Sequence, residues 1–219
     1  MTDQKIALVT GASRGFGAAV AEELARAGYH VVAVARTQGG LEELDDRITA
    51  AGGHATLAPM DIAEVDAMRA LCRGIYDRWG KLDLWVHAAI QTPALSPTEQ
   101  VDAGMWDRLV PTNIHATGVL ITFIAPLLRA AGGGRAVLID DTASGPFMGA
   151  YTAAKAAQRA LFTAWSQEQA RLQDVRIAMF EPAPMATAHR QRFYPGEDKS
   201  VLALPADEAR RMLDTLSLG

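Results

Sequence analysis

A tyrosine and a lysine lie four residues apart, at Tyr151 and Lys155, about ten residues after the adjacent carboxylates Asp140 and Asp141. Residues four apart on a helix share one face, so the Lys155 ammonium can lie beside the Tyr151 phenol and stabilise its ionised form. A free tyrosine titrates at about pH 10, too high for ready proton exchange at neutral pH. The pair therefore predicts an acid and base for a carbonyl or alcohol oxygen. The alternative is an amphipathic helix start that carries both side chains without chemistry.

A second candidate is the glycine-rich stretch TGASRGFG, residues 10–17, which directly follows an apolar run typical of a strand. Gly11, Gly15 and Gly17 remove side chains where a backbone turns sharply, approaches a pyrophosphate and packs a helix on a strand. The free amides and partial positive charge at the start of the next helix would hold the phosphates. In this context the stretch predicts dinucleotide binding rather than a purely structural turn.

The residues after the second predicted strand indicate which dinucleotide binds. A site that prefers NAD usually has an acidic residue there, against the adenosine ribose, but this sequence has Ala35-Arg36-Thr37. Arg36 can bind a 2′-phosphate with its planar fork of donors, and Arg14 is close enough in the glycine turn to join it. We therefore expect NADP(H), with NAD(H) as the alternative. Asp61, after the third strand, is expected either to accept a hydrogen bond from adenine or to cap the next helix.

The scaffold for these residues is predicted from alternating apolar and helical segments. Six continuous apolar runs are separated by helices, which predicts parallel strands buried on both faces: KIALVT, HVVAVA, ATLAPM, LDLWVH, RAVLID and VRIAMF. The fold class is α/β, a doubly wound Rossmann sheet of six or seven strands with helices on both faces, in one domain over residues 1–219. After a first helix that ends near residue 27, further helices are expected near 40–51, 64–79, 105–130, 149–171 and 206–216.

The irregular tract 182–206, which contains four of the ten prolines, follows the sixth strand. Loops at that end of a parallel sheet border the ligand crevice, so the tract is predicted to cover a substrate. A long surface connection is the alternative.

Composition narrows the classes of partner. The net charge is −4, 49% of residues are hydrophobic, 21% are charged, and no Lys/Arg run of five occurs, which argues against nucleic acid. The longest apolar run, 118–128, is too short to cross a bilayer, and the N-terminus lacks a signal-peptide pattern. A single cysteine, Cys72, is typical of a reducing compartment, so a cytoplasmic protein is expected. We predict no metal site.

Together these motifs make the chain resemble the short-chain dehydrogenase/reductase family. TGASRGFG is similar to the family's TGxxxGxG turn, and Tyr151 with Lys155 matches its YxxxK pair. Asp61 matches the family's adenine-contacting aspartate, and Asn113 its asparagine in the long helix. The resemblance extends to about Thr187, the position of the threonine in the family's PGxxxT.

The resemblance implies roles for these residues. Tyr151 would exchange a proton with the substrate while hydride passes to or from the nicotinamide, Lys155 would bind the nicotinamide ribose, and Asn113 would hold a water that relays protons. A homodimer or homotetramer is implied, paired through the helices near 105–130 and 149–171. The expected cofactor-binding residues are Gly11, Ser13, Arg14, Gly15, Phe16, Gly17, Arg36, Asp61, Ile62, Ala88, Ala89, Tyr151, Lys155, Pro182 and Thr187.

The chain departs from the family pattern in several places. Asp141 stands where the family has the serine that binds the substrate carbonyl, and the loop from there to Tyr151 is about three residues shorter than usual. His87-Ala88-Ala89-Ile90 replaces the family's NNAG, and Pro182 is followed by alanine. We expect His87 to be a structural histidine rather than an acid or base.

Asp141 is therefore a catalytic candidate together with Tyr151, Lys155 and Asn113. An ionised carboxylate about 4 Å from a phenolate costs roughly 4 kcal/mol at an effective dielectric near 20. Either Asp141 points away, or it is held neutral and donates a hydrogen bond to substrate, or the tyrosine mechanism is disabled. Thr142 or Ser144 could supply the missing hydroxyl. Because side chains alternate along a strand, Asp140 and Asp141 are not expected to face the cofactor together.

The leading prediction is an NADP(H)-dependent oxidoreductase that moves hydride between nicotinamide and a small-molecule carbonyl or alcohol. The rival is a catalytically impaired NADP(H)-binding protein with a regulatory or partner role. A third hypothesis keeps the nucleotide and uses Tyr151 or Asp141 for isomerisation or dehydration without net redox change.

Overall fold

The central sheet has six parallel strands within residues 4–218, the residues that the computed structural model describes. Their order across the sheet is β3-β2-β1-β4-β5-β6, and each neighbouring pair is parallel. The predicted doubly wound α/β class is confirmed with six strands in this range, and a seventh strand is not among them. The bounds are β1 Lys5–Thr10, β2 Tyr29–Ala35, β3 His54–Pro59, β4 Leu84–His87, β5 Arg135–Ile139 and β6 Arg176–Phe180.

Helices connect the strands and cover both faces of the sheet. The helix predicted over 105–130 is divided, because residues Pro111–His115 form one π-helical turn between α4 and α5. Pro111 has no N–H to donate to the preceding turn, so the hydrogen-bond ladder shifts there. The bounds are α1 Gly15–Arg26, α2 Gln38–Ala50, α3 Val65–Trp79, α4 Ala103–Val110, α5 Ala116–Ala130, α6 Gly149–Leu172, α7 Ala188–Phe193 and α8 Pro205–Leu216.

Strand β1, inside the sheet, shows why a continuous apolar run is typical of a strand that is buried on both faces. Ala7 and Val9 pack into the core that contains residues of α1, α2 and α8, whereas Ile6 and Leu8 pack into the core that contains residues of α3, α5 and α6. Alternate side chains of one strand thus enter two different cores. Cys72 lies in the second core as a buried small side chain.

The helical run Ala103–Ala130 has the length and hydropathy of a membrane-spanning helix. It is longer than the apolar stretch 118–128 that the sequence showed. Leu120, Ile124 and Leu128 are fully buried in the core shared with the sheet, so the apolar composition of α5 is that of a core helix.

The tract 182–206 is more regular than predicted. It contains α7, a 3-10 turn at Lys199–Val201 and a parallel bridge between Met185 and Ala203. The Thr187 hydroxyl caps α7 by accepting a hydrogen bond from the Arg190 amide at 3.3 Å. Local capping of this kind supports a short helix that shows no long periodic pattern in the sequence.

Candidate active site

The carboxyl ends of the strands enclose an open crevice of about 1290 Å³. It lies at the boundary between β1 and β4. The strand order reverses there, and this is where ligands bind in doubly wound sheets. All residues predicted to bind the cofactor line this crevice: Gly11, Ser13, Arg14, Gly15, Phe16, Gly17, Arg36, Asp61, Ile62, Ala88, Ala89, Tyr151, Lys155, Pro182 and Thr187.

The glycine turn at one end of the crevice has no room for a side chain at Gly11 or Gly17. A Cβ on Gly17 would lie 2.2 Å from the Gly11 carbonyl oxygen, and a Cβ on Gly11 would lie 2.7 Å from the Ala89 amide nitrogen. Gly11 and Gly15 have φ of 80° and 59°, in the left-handed region that favours glycine. A Cβ on Gly15 would meet the Thr187 methyl group at 3.7 Å.

The start of α1 is free to receive an anion. Its N-cap residue, Arg14, makes no side-chain capping bond, and the first turn has no acidic residue. The first amides and the partial positive charge of the helix therefore face the crevice without a side-chain acceptor. A pyrophosphate fits this end of the site, which is the fit expected for a dinucleotide.

Arg36 and Asp61 lie together at the adjoining part of the crevice. Arg36 Nη2 donates to the Gln91 side-chain oxygen at 3.2 Å, and its Nη1 is 3.8 Å from Asp61 Oδ2. Asp61 Oδ1 accepts from the Ala63 amide at 2.9 Å. Glu64, not Asp61, is the N-cap residue of α3, so the predicted capping role for Asp61 is wrong and Asp61 instead closes the preceding turn.

Tyr151 and Asp141 form the centre of the other end. The Tyr151 hydroxyl donates to Asp141 Oδ2 at 2.6 Å, and Asp141 Oδ1 accepts from the Ala143 amide at 2.8 Å. Burial opposes ionisation of Asp141, but the nearby His189 imidazole, the hydrogen bonds from Tyr151 and Ala143, and the charge of Lys155 outweigh it, so the pKa of Asp141 lies below its ordinary value. The alternative in which Asp141 points away is therefore wrong, and the lowered pKa argues against a neutral carboxyl group.

The pKa of Tyr151 moves in the opposite direction from the sequence-based expectation. The side chain is 1% exposed, and burial, followed by the charge of Asp141, raises the pKa of the phenol above its ordinary value. We expected the Lys155 ammonium to lower it. That expectation is wrong because the phenol is buried and because it donates a hydrogen bond to the ionised Asp141 carboxylate.

Lys155 is buried on α6, one turn after Tyr151. Its Nζ donates to the Ile139 carbonyl oxygen at the end of β5, at 2.7 Å. Burial lowers the pKa of Lys155 to about 8, against the opposing effect of the Asp140 and Asp141 charges. Two of its three N–H groups remain for a ligand in the crevice that it lines.

The neighbouring carboxylate and hydroxyl have other partners. Asp140 binds Arg159 through both oxygens, at 2.6 and 3.1 Å, and also accepts from the Asp141 amide at 2.9 Å. Thr142 donates to Glu181 through its amide, at 2.9 Å, and through its hydroxyl. Asp140 therefore holds the strand end in place, and Thr142 is held by Glu181 rather than by Tyr151.

Asn113 lies in the π-helical turn, outside the residues that line the crevice. It is fully buried, its Oδ1 accepts from the Gln91 amide at 2.7 Å, and its Nδ2 donates to the Gln91 carbonyl at 2.8 Å. The side chain fixes the backbone after β4, which forms a wall of the crevice. The predicted water-holding role of Asn113 stays a prediction.

His87 is structural, as expected. It is 1% exposed, with Nδ1 2.8 Å from the Thr10 hydroxyl and Nε2 2.9 Å from the Thr117 hydroxyl. The Thr117 hydroxyl donates its proton to the Asn113 carbonyl, so His87 Nε2–H must donate to Thr117 and Nδ1 must accept from Thr10. Burial, with a smaller effect of the Lys155 charge, lowers the pKa of His87 to about 3.

His189 and Thr92 were missed by the sequence analysis. His189, on α7, has Nε2 3.1 Å from the Tyr151 hydroxyl and 3.9 Å from Asp141 Oδ2. Its Nδ1 is 2.7 Å from the Thr92 hydroxyl. The available signal was a titratable residue two positions after Thr187, in the tract expected to cover the substrate.

The geometry agrees with what comparison with known proteins shows. The family model for short chain dehydrogenases matches residues 5–198. The chain belongs to the short chain dehydrogenase family. Relatives in this family are named as dehydrogenases and reductases, so the chain is an oxidoreductase of the NAD(P)-dependent class.

Relatives differ in how much of their length the chain spans. Dehydrogenase/reductase SDR family member 4 of Bos taurus is 26% identical over 206 residues, which are 92% of this chain and 74% of that protein. Glycine betaine reductase of Emericella nidulans is 32% identical over 187 residues, 84% of this chain but only 14% of that protein.

Two solved structures of the family contain NADP. A metagenomic short-chain oxidoreductase in complex with NADP has 30% identity and a TM-score of 0.83, over 98% of this chain and 90% of that chain. A short chain dehydrogenase from Shigella flexneri complexed with NADP has 26% identity and a TM-score of 0.86, over 94% of this chain and 88% of that chain.

Proposed function

We propose that this protein is an NADP(H)-dependent oxidoreductase that interconverts a small-molecule carbonyl and the corresponding alcohol. The observation that carries the proposal is that one crevice joins the glycine turn to Tyr151 and Lys155. When bound, the nicotinamide supplies or accepts the hydride. The residues of the chain then have to hold the nucleotide, orient the carbonyl and move one proton.

The preference for NADP(H) is supported by the residues beside the adenosine end. Arg36 and Arg14 both line the crevice, and no carboxylate follows β2 directly. A guanidinium matches a phosphate monoester in charge and in its paired donors. The two NADP-bound members of the family support the same choice, and NAD(H) is the alternative.

Tyr151 is proposed as the acid and base, with Asp141 biasing it toward the acid role. Since the pKa of the phenol is raised, Tyr151 holds its proton at neutral pH. A proton in place suits carbonyl reduction, in which the substrate oxygen becomes anionic and needs one. Alcohol oxidation needs the phenolate, whose oxygen would lie 2.6 Å from that of an ionised carboxylate, at a cost of about 6 kcal/mol at an effective dielectric near 20. We therefore propose reduction as the favoured direction.

A second candidate function is nucleotide binding without hydride transfer. The observation that favours it is the 2.6 Å hydrogen bond from Tyr151 to Asp141, which occupies the phenol proton. In such a protein, binding of NADP(H) would signal the concentration of the cofactor to a partner protein.

Turnover separates the two candidates. We expect oxidation of NADPH, followed at 340 nm, with at least one member of a panel of ketones and aldehydes. Tyr151→Phe should lower that rate by about 100-fold or more while NADPH affinity is unchanged. Tyr76→Phe, at an exposed tyrosine of α3, is the matched control. NADPH binding without turnover of any panel member would favour the second candidate.

The homodimer or homotetramer implied by the family resemblance is also a proposal. Light scattering after size-exclusion chromatography measures it, and a strictly monomeric species at micromolar concentration would contradict it.

A further inference from the structure

Two titratable side chains, Asp141 and His189, both contact the hydroxyl oxygen of a third, Tyr151. Asp141 comes from the loop after β5, Tyr151 from α6 and His189 from α7. The Tyr151 oxygen is 2.6 Å from Asp141 Oδ2 and 3.1 Å from His189 Nε2. The His189 ring also packs against the Tyr151 ring, with centroids 5.3 Å apart. The imidazole is therefore held by two hydrogen bonds and a ring contact.

The direction of the hydrogen bonds follows from a count of protons. A phenol has one proton, and the ionised Asp141 can only accept, so the phenol proton lies between Tyr151 and Asp141. The Tyr151 oxygen must then accept from His189, which requires a proton on Nε2. In the neutral imidazole Nδ1 has no proton and accepts from the Thr92 hydroxyl at 2.7 Å. The donors run from Thr92 through His189 and Tyr151 to Asp141.

This chain of donors addresses the difficulty that Asp141 creates. If Tyr151 gave its proton to a substrate oxygen alone, a phenolate would remain beside a carboxylate. His189 Nε2–H already points at the phenol oxygen and can replace the lost proton as it leaves. The Thr92 hydroxyl can pass its proton to Nδ1 as the Nε2 proton leaves, which keeps the ring neutral. The His189 side chain is 30% exposed, so solvent can afterwards restore the Nε2–H tautomer.

We propose that His189 is the proton donor to Tyr151, and that the proton passed to the substrate oxygen is replaced from its Nε2. This inference rests on the proposed carbonyl reduction, in which a reduced nicotinamide is the hydride donor and is oxidised. The phenol O–H bond breaks and an O–H bond forms on the substrate oxygen. The Nε2–H bond then breaks and the phenol O–H bond re-forms, while Nδ1 takes the proton of the Thr92 hydroxyl so that the imidazole stays neutral. Solvent then reprotonates the Thr92 oxygen and restores the Nε2–H tautomer of the ring.

The first test removes the imidazole and adds it back. His189→Ala should lower NADPH-dependent carbonyl reduction by about 100-fold, within the range for loss of one general acid, with NADPH affinity within twofold of wild type. Free imidazole at tens of millimolar should restore the rate at least tenfold. His54→Ala, at an exposed histidine of β3, should show neither loss nor response. A slow His189→Ala protein that imidazole does not accelerate would overturn the proposal.

His189→Gln separates proton supply from hydrogen bonding. A glutamine amide can donate to the Tyr151 oxygen but has no proton to release at neutral pH. We expect this variant to be as slow as His189→Ala. A His189→Gln protein with wild-type turnover would show that only a hydrogen bond is needed, which contradicts proton donation.

A measurement without substrate keeps this proposal separate from the proposed function. In the 15N spectrum of labelled histidine, neutral His189 should be the tautomer with a proton on Nε2, and Thr92→Val should disturb its Nδ1 signal. A proton on Nδ1 of the neutral ring would mean that Tyr151 donates to His189, which overturns the donor direction. A wild-type protein without carbonyl turnover would refute the proposed function, and the spectrum alone would then decide the role of His189.

Discussion

The two ends of the crevice are built from different parts of the polypeptide. At the end proposed to bind the nucleotide, the backbone is the exposed surface, since Gly11, Gly15 and Gly17 matter for the side chains that they lack. At the Tyr151 end the positions of a few protons decide the chemistry, because Asp141 and His189 both hydrogen-bond to the Tyr151 hydroxyl.

This difference separates affinity from reactivity. A backbone site tolerates few substitutions, but it does not depend on the protonation of neighbouring groups. A cluster of ionisable side chains tolerates substitution sterically, yet each change alters the proton affinity of the others. Variants at one end should therefore leave the other end nearly unchanged, and the following predictions test that separation.

Gly17→Ala should have the largest effect. Its Cβ would lie 2.2 Å from the Gly11 carbonyl oxygen, and backbone atoms on both sides must move to accommodate it. We expect a loss of more than about 3 kcal/mol in the free energy of unfolding and no measurable NADPH binding, by urea denaturation and fluorescence titration. Gly39→Ala, which meets no atom within 4 Å, is the control. NADPH binding by Gly17→Ala at wild-type affinity would contradict the idea that the nucleotide end depends on close backbone packing.

Asp141→Ser should change reactivity but not affinity. Without the carboxylate, the pKa of Tyr151 should fall, so the phenolate needed for alcohol oxidation becomes more abundant. We expect NADP⁺-dependent oxidation at pH 9 to rise by about 10- to 100-fold, one to two steps of 1.4 kcal/mol each, with NADP⁺ affinity unchanged. Absorbance of tyrosinate near 295 nm would report the pKa directly. Asp77→Ser, on the exposed face of α3, is the control, and slower oxidation by Asp141→Ser would contradict the assigned role.

Arg36→Ala should affect the nucleotide end alone and by a smaller amount. Loss of a charged donor to the 2′-phosphate is expected to weaken NADPH binding by about tenfold, near 1.5 kcal/mol, and to leave NADH binding unchanged. Calorimetric titration with both nucleotides measures the difference. Arg73→Ala, whose partner is Asp77 on the same helix, is the matched control. An equal loss for both nucleotides would argue against a phosphate contact.

His87→Gln should have the smallest effect, and only in acid. His87 has a folded pKa of about 3 against an ordinary value of 6.5, so between those values the unfolded chain binds more protons. The free energy of unfolding of the wild type therefore falls as the pH drops from 6.5 toward 3, by up to about 1.4 kcal/mol per pH unit. In His87→Gln this part of the decline should be absent. Urea denaturation at pH 7 and 5.5 would show it, with exposed His54→Gln as control. Equal declines in His87→Gln and wild type would contradict the buried neutral imidazole.

The fold and the nucleotide end were predictable because their signals are local. A continuous run such as KIALVT is buried on both faces wherever it lies in such a sheet, and a glycine trio after a strand has few other uses. Helix bounds agreed to within a few residues for the same reason. The π-helical turn at Pro111–His115 was missed because one proline inside a long apolar run gives no indication of how the ladder will adjust.

The reactive end was only partly predictable because it depends on loops. The spacing of Tyr151 and Lys155 fixed their shared helix face, but the partner of the phenol is set by the path of residues 140–148 between β5 and α6. His189 lies in a six-residue helix without apolar periodicity, and its proximity to Tyr151 comes from tertiary packing. The direction of a pKa change therefore could not be read from sequence spacing alone.

Thr187 lies between the two ends of the crevice and contacts both. Its methyl group is the neighbour that a side chain at Gly15 would meet, and its hydroxyl accepts a hydrogen bond from the Arg190 amide and so caps the start of the helix that bears His189. The residue that lies against the glycine turn is thus two positions before the imidazole. The turn proposed to bind the nucleotide and the helix that carries the proposed proton donor therefore meet at one residue.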